Sequence, residues 1–139
     1  MLRVLTIAAV LWPGAAMAEM SASGPAWPAY ILQLPDSVRN VLIAETDTST
    51  LYRYEPAQGG IERREDRYIS VGQNGVGKER AWDRRTPLGI YFANDVLDTS
   101  RLLEKYGPMA FPLDYPNAWD DARDRTGDGV WIRGVGPRG

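Results

Sequence analysis

The chain has 139 residues, in which 16 Lys and Arg stand against 18 Asp and Glu, and it contains neither cysteine nor histidine. The formal net charge is −2 and no basic stripe stands out along the sequence, which disfavours binding to nucleic-acid phosphates. Without thiol and imidazole groups, these residues offer no disulfide, no thiolate metal site and no histidine ligand. We therefore expect one domain that is stabilised by packing, without a metal or a cofactor.

The N-terminal residues are typical of an export signal. Arg3 supplies a positive charge, and residues 4–12 form an apolar segment that is too short to cross a bilayer as a helix. The Ala-Met-Ala sequence at residues 16–18 is a small-x-small cleavage site, and the Pro-Gly pair at residues 13–14 disfavours a buried N-terminal helix. We therefore predict a signal peptide over residues 1–18 and a periplasmic or cell-envelope location. No later apolar segment is long enough to span a membrane.

Residues 19–37 are rich in Ser, Gly, Pro and Ala and are predicted to form a linker. The folded domain is expected to occupy residues 38–139. Four apolar side chains of the linker are able to dock on this domain: Trp27, Tyr30, Ile31 and Leu34.

The first part of the domain has the composition of β-strands. Residues 41–44 and 50–54 are β-forming runs that are separated by turn residues, which predicts a hairpin. A second turn is predicted at residues 56–60. The charged residues 61–66 then lead into an expected strand at residues 68–72, which suits an antiparallel sheet with one face in water.

The second part of the domain contains little predicted helix. A strand is expected at residues 86–92, and Ser100 is able to cap a short helix over residues 101–106. Asn117 begins another helical turn, and residues 130–134 form the last expected strand. The pattern indicates a mostly β domain, largely antiparallel, with short helical insertions.

Four carboxylates cluster before that last strand: Asp120, Asp121, Asp124 and Asp128. Their spacing lacks the alternating ligands, the central glycine and the final glutamate of a calcium-binding loop. Arg123 and Arg125 lie among them and balance their charge. We therefore expect a solvated, partly paired turn and no metal site.

The densest motif of the chain lies at residues 78–91. Proline fixes φ, and glycine permits conformations that other residues avoid, so the motif specifies a loop that enters a strand at one angle. By spacing alone this is a structural signal and not a catalytic one. Its characteristic residues are Asp83, Arg85, Thr86, Pro87 and Gly89.

This motif resembles the Asp-x-Arg-Thr-Pro-x-Gly-x-Tyr stretch of the L,D-transpeptidase catalytic domain (YkuD type). The resemblance extends over about residues 41–139 in the family's order. It implies an antiparallel β-sandwich-like domain, which in this chain is C-terminally incomplete because the family's cysteine segment lies beyond Gly139. The further matching segments are residues 41–54, 68–72, 106–119 and 127–134.

The resemblance implies a chemistry whose reacting groups this chain lacks. In the family, a cysteine thiolate attacks a peptidoglycan stem peptide, a histidine acts as base, and a second stem resolves the thioacyl intermediate into a crosslink. Arg133 stands where relatives have that histidine, and a guanidinium stays protonated at any ordinary pH. We therefore predict that the chain is inactive as given.

The resemblance also implies peptidoglycan stem peptides as partners and no cofactor; it does not indicate an oligomeric state. Three interpretations remain open: a truncated transpeptidase, a non-catalytic relative that binds peptidoglycan peptides or a partner protein, and a hydrolytic branch that would need the same missing residues. If the last strands are lost, an exposed sheet edge predicts poor stability of the isolated mature chain. The aromatic candidates for the walls of a substrate groove are Tyr91, Tyr106, Tyr115 and Trp119.

Overall fold

The computed structural model describes residues 31, 33–93, 95–98 and 109–134, together with the backbone of residues 7–12. These residues form two sheets and one short helix. The elements are β1 Ile7–Trp12, β2 Asn40–Glu45, β3 Thr50–Ala57, β4 Gly60–Tyr68, β5 Ile90–Ala93, β6 Leu97–Asp98, β7 Met109–Pro112, α1 Ala118–Asp121 and β8 Trp131–Arg133.

The strand β2 is buried on both faces, and its side chains alternate between two parts of the core. Val41 and Ile43 pack with Tyr54 of β3 and Ile61 of β4. Ile31 and Leu34, from the predicted linker, also lie against this cluster, whereas Trp27 and Tyr30 are outside the described residues.

The opposite face of β2 joins the two sheets. Leu42 of β2 and Ala93 of β5 form a buried cluster with Phe111 of β7 and Ile132 of β8, which belong to the second sheet. Apolar residues from two sheets therefore meet in one layer, as in a β-sandwich. The prediction of a mostly β, largely antiparallel fold is confirmed.

The larger sheet has the order β4-β3-β2-β1-β5, and the smaller one has the order β6-β7-β8. The strand β1 runs parallel to β2 and antiparallel to β5, so it joins two strands that do not pair with each other. It lies within the predicted signal peptide, which stays a prediction. Among the residues that the structure describes, no helix has the length and apolarity needed to cross a membrane.

The predicted hairpin of residues 41–54 is confirmed, but the following segment differs from the expectation. The strand β3 continues through Pro56 and Ala57, and the turn contains only Gln58 and Gly59, with Gly59 at a φ of +87°. The charged segment, expected as an approach, is itself the strand β4, whereas residues 69–72 lie outside any named strand. The reason is that β4 is an edge strand: apart from the buried Ile61, its charged side chains face water or pair with side chains of β3.

The later elements are shorter than predicted. The strand expected at residues 86–92 is reduced to β5, because the preceding residues form a loop in which Thr86 bridges Val76. The last strand, β8, is confirmed over three residues. Asn117 caps α1 as predicted: its side chain accepts the backbone N–H groups of Trp119 and Asp120. The helix expected over residues 101–106 lies outside the described residues.

Candidate functional site

The polar groups of the sequence motif gather around the carboxylate of Asp83, in a segment that we call the motif loop (residues 78–87). Its Oδ1 accepts hydrogen bonds from Lys78 Nζ at 2.8 Å and from the backbone N–H of Arg85 at 3.0 Å. Its Oδ2 accepts from the backbone N–H groups of Glu79 at 2.9 Å and Arg80 at 3.0 Å. One carboxylate therefore fixes both ends of a tight loop.

The ion pair between Lys78 and Asp83 is largely removed from water, with side-chain exposures of 7% and 18%. Burial alone would raise the pKa of Asp83, but the hydrogen bonds from Lys78 and from the amides of Arg80, Arg85 and Glu79 hold that pKa well below its ordinary value. The carboxylate is therefore charged at neutral pH, which suits a structural ion pair and not a general base.

Thr86, Pro87 and Gly89 position this loop against the strands. The hydroxyl of Thr86 accepts the backbone N–H of Gly72 at 2.8 Å, and Pro87 is fully buried. A Cβ at Gly89 would lie 2.8 Å from the hydroxyl oxygen of Tyr91, so only glycine fits without displacing that ring. These contacts fix the motif loop against the strands.

A second buried ion pair lies in the segment that we call the helix loop (residues 117–127). Asp120 is fully buried, and its Oδ1 accepts from Arg125 Nη1 at 2.9 Å and from the hydroxyl of Tyr91 at 3.3 Å. Its Oδ2 accepts the backbone N–H of Asn117 at 3.3 Å. The expectation of a solvated carboxylate is thus wrong for Asp120, because a cation, a phenol and a helix cap replace its water.

The electrostatics of this pair extend to the neighbouring groups. Burial, followed by the charge and hydrogen bond of Asp120, raises the pKa of Tyr91, so its hydroxyl stays a donor. The same carboxylate raises the pKa of Arg125, whose guanidinium donates to it. Neither group is prepared to exchange a proton near neutral pH.

The two loops are joined to each other. The backbone N–H of Thr126 donates to the carbonyl of Glu79 at 2.9 Å, and the hydroxyl of Thr126 accepts the N–H of Ala81 at 3.2 Å. The hydroxyl of Tyr115 donates to the carbonyl of Thr126 at 3.3 Å. A Cβ at Gly127 would lie 3.1 Å from Cε of Lys78, which shows how closely the loops approach. They therefore form one unit with a polar interior.

The loop and strand pattern that surrounds this unit corresponds to a known family. Residues 39–138 match the sequence profile of the L,D-transpeptidase catalytic domain (YkuD). This chain belongs to that family.

Solved structures show the same L,D-transpeptidase-type fold. A mutant of the helical cell shape determining protein Pgp2 from Campylobacter jejuni superposes with a TM-score of 0.59 at 27% identity, over 73% of this chain and 35% of that one. Bd1075 from Bdellovibrio bacteriovorus gives a TM-score of 0.58 at 22% identity, over 73% of this chain and 34% of its own. This chain thus spans about a third of the length of these structures. No curated protein sequence matches it significantly.

Among the predicted groove residues of this L,D-transpeptidase-family chain, Tyr91 and Tyr115 are buried and pack edge to face, with ring centroids 5.8 Å apart. Trp119 is 63% exposed, and the guanidinium of Arg123 lies 3.4 Å from its ring centroid. Tyr106 lies outside the described residues. Only Trp119 of the described three therefore offers a broad surface to a ligand, and the groove stays a prediction.

Arg133 lies on β8, opposite Ala110 of β7, and its side chain is exposed. A guanidinium does not accept a proton, so this residue cannot act as a base. Its place at the family's histidine position stays a prediction. Within the part of the chain that the structure describes, no three carboxylates come together in an arrangement that could hold a metal ion.

The sequence predicted partial pairing of the helix-loop carboxylates with Arg123 and Arg125, but it predicted neither the ion pair in the motif loop nor the burial of Asp83 and Asp120. Each of the two ion pairs joins residues that are five positions apart, Lys78 with Asp83 and Asp120 with Arg125, and of these four residues only Asp120 lies in a helix or strand. Charged residues in a polar segment are usually solvated, so their spacing gave no reason to expect burial.

Proposed function

We propose that this chain is a cell-envelope member of the L,D-transpeptidase family that binds peptidoglycan stem peptides without transferring them. The observation that carries the proposal is the use of the motif loop as a scaffold. The carboxylate of Asp83 accepts four hydrogen bonds within the loop. The part of the sequence that is most typical of the family therefore shapes a surface and does not supply a reacting group.

The transfer reaction has strict requirements. A thiolate must attack the stem peptide, a base must take up the thiol proton, and backbone donors must stabilise the oxyanion. The 139 residues contain no cysteine and no histidine, and Arg133 stays protonated. A stem peptide that is bound to this chain is therefore expected to leave unchanged.

The family relationship supports the choice of ligand, because the family acts on peptidoglycan peptides generally. The similarity to Pgp2, which is described as determining helical cell shape, supports a contribution to cell-wall organisation and cell shape. Both assignments are part of the proposal, since this chain covers only about a third of those proteins.

Export to the periplasm is proposed from the N-terminal residues. Cleavage after Ala18 would remove β1, which lies between β2 and β5. The mature chain would then have two unpaired strand edges inside its larger sheet, and such edges favour pairing with another strand. The intact and the cleaved chain are therefore expected to differ in stability.

The proposal is tested by sedimenting the full chain with purified peptidoglycan sacculi and then analysing the muropeptides by mass spectrometry. We expect the chain to sediment with the sacculi while the proportions of crosslinked and uncrosslinked muropeptides stay constant. Sacculi from which an amidase has removed the stem peptides serve as the control and are expected to retain less protein. New crosslinks or shortened stems would show transfer or hydrolysis, and equal retention on stripped sacculi would contradict peptide recognition.

A further inference from the structure

The most exposed large apolar side chain of the described residues lies at the tip of the motif loop. Trp82 is 94% exposed, and its backbone has a φ of +65°, in the left-handed region that bulky residues avoid. Holding a tryptophan in this conformation is unfavourable, and the exposed indole contributes nothing to the core. Both observations point to a contact outside this chain.

The surrounding loop holds Trp82 in place. On one side, the N–H groups of Glu79 and Arg80 are bound by the Asp83 carboxylate. On the other side, the carbonyl of Asp83 accepts the side-chain amide of Asn74 at 2.9 Å. The backbone that carries the indole is therefore held in place. A ligand that contacts the indole does not have to order this loop, which lowers the entropic cost of binding.

The charge around the indole indicates the class of partner. The negative charge of Asp83 faces Lys78 inside the loop, whereas Arg80, Arg84 and Arg85 are exposed and outnumber the exposed Glu79. The surface therefore combines one flat apolar ring with an excess of guanidinium groups. Guanidinium groups bind carboxylates, and an indole face covers the C–H face of a sugar ring.

We propose that Trp82 stacks on a pyranose ring of the peptidoglycan glycan strand, while Arg80 and Arg84 bind carboxylates of the attached stem peptides. This inference rests on the proposed function and adds the sugar as a second determinant. An anionic membrane is a poorer fit, because insertion into a bilayer surface requires several apolar side chains on one face, and the loop at residues 79–85 has a single large one.

The test compares the full chain with Trp82→Asn and Trp82→Phe. Asparagine tolerates the left-handed conformation, so this variant removes the ring without adding backbone strain. Phenylalanine retains a ring at the same position. A thermal midpoint of Trp82→Asn that equals or exceeds that of the unmodified chain establishes that the loop is intact, because asparagine relieves the strain of the left-handed backbone.

Isothermal titration calorimetry is performed with peptide-free glycan strands, with the free tetrapeptide and with vesicles of acidic phospholipid. We expect Trp82→Asn to weaken binding to the glycan about threefold to tenfold, the range of one aromatic contact, and to leave tetrapeptide binding unchanged. Trp82→Phe is expected to retain most of the glycan affinity.

The outcomes separate the two proposals. Tetrapeptide binding without Trp82-dependent glycan binding overturns this inference and leaves the proposed function standing. Glycan binding that depends on Trp82, without tetrapeptide binding, overturns the proposed function and the assigned role of Arg80 and Arg84, and leaves only the contact between Trp82 and the sugar standing. Binding through Trp82 to the vesicles alone, or equal losses for glycan and tetrapeptide in Trp82→Asn, would also overturn the inference.

Discussion

The β3–β4 hairpin and the two joined loops use the same chemical groups in different surroundings. On the hairpin, Glu55 contacts Arg53 at 2.6 Å and Arg64 at 3.0 Å, and each of these side chains is more than a third exposed. In the loops, the acceptors are Asp83, which is mostly covered, and Asp120, which is fully buried. Distance alone does not distinguish the two regions; access to water does.

The difference has an energetic consequence. The charges of an exposed ion pair are hydrated in both the folded and the unfolded chain, and salt screens their attraction. Such a pair therefore contributes little to the free energy of unfolding. A buried pair does not necessarily stabilise the fold relative to apolar residues, but removing one partner leaves a charge without water or counter-charge. We therefore expect the removal of a charge to leave the stability nearly unchanged on the hairpin and to lower it in the loops.

The largest effect is expected from Asp120→Ala. The substitution leaves the Arg125 guanidinium, the Tyr91 hydroxyl and the N–H of Asn117 without their acceptor, so we expect a loss of about 4 kcal/mol in the free energy of unfolding. Chemical denaturation of the full chain measures it. Asp121→Ala, which changes the exposed neighbour, is the matched control. Similar losses in both variants would contradict the assigned role of the buried carboxylate.

A smaller loss is expected from Asp83→Asn, because this carboxylate retains some exposure. The amide cannot neutralise Lys78 and accepts fewer hydrogen bonds from the loop, so we expect a loss of about 3 kcal/mol. Hydrogen exchange followed by NMR is expected to show faster exchange at the amides of Glu79, Arg80 and Arg85. Unchanged exchange at these three amides would show that Asp83 does not hold the loop.

The same residue predicts a pH dependence. The folded-state pKa of Asp83 lies below its ordinary value of 3.8, so its contribution is complete above that value and is lost as pH falls toward the folded-state pKa. The stability difference between the unmodified chain and Asp83→Asn is therefore expected to shrink by about 1 kcal/mol between pH 7 and pH 3. Denaturation curves at a series of pH values measure it, and a constant difference would refute the lowered pKa.

The smallest effect is expected from Glu55→Gln on β3. The side chains of its partners Arg53 and Arg64 are more than a third exposed and stay hydrated when the charge is removed. We expect no measurable change in the thermal midpoint, in low salt or in high salt. A destabilisation comparable to that of Asp83→Asn would remove the distinction between the two regions.

The sequence predicted the features that arise from neighbouring residues. The hairpin of β2 and β3 follows from two β-forming runs around a turn, and the helix cap follows from the side chain of Asn117. In these cases, the information lies within a few positions of the chain.

The missed features depend on contacts between distant segments. The strand β4 has a charged sequence because it lies at a sheet edge, and the burial of Asp120 results from Tyr91, 29 positions earlier. The pairing of β1 with both β2 and β5 also joins distant segments. No local pattern predicts such contacts. The sequence therefore predicts the hairpin but not the polar interior of the loops.

Native mass spectrometry of the full chain with a disaccharide-tetrapeptide tests the central claim most directly, because one spectrum separates bound, acylated and crosslinked species. Non-covalent binding requires only the scaffold, whereas acylation requires a nucleophile that these residues lack. We predict a complex with the summed mass of chain and ligand that dissociates on activation. A covalent adduct that has lost alanine, a crosslinked dimer of the ligand, or the absence of any complex would contradict the account.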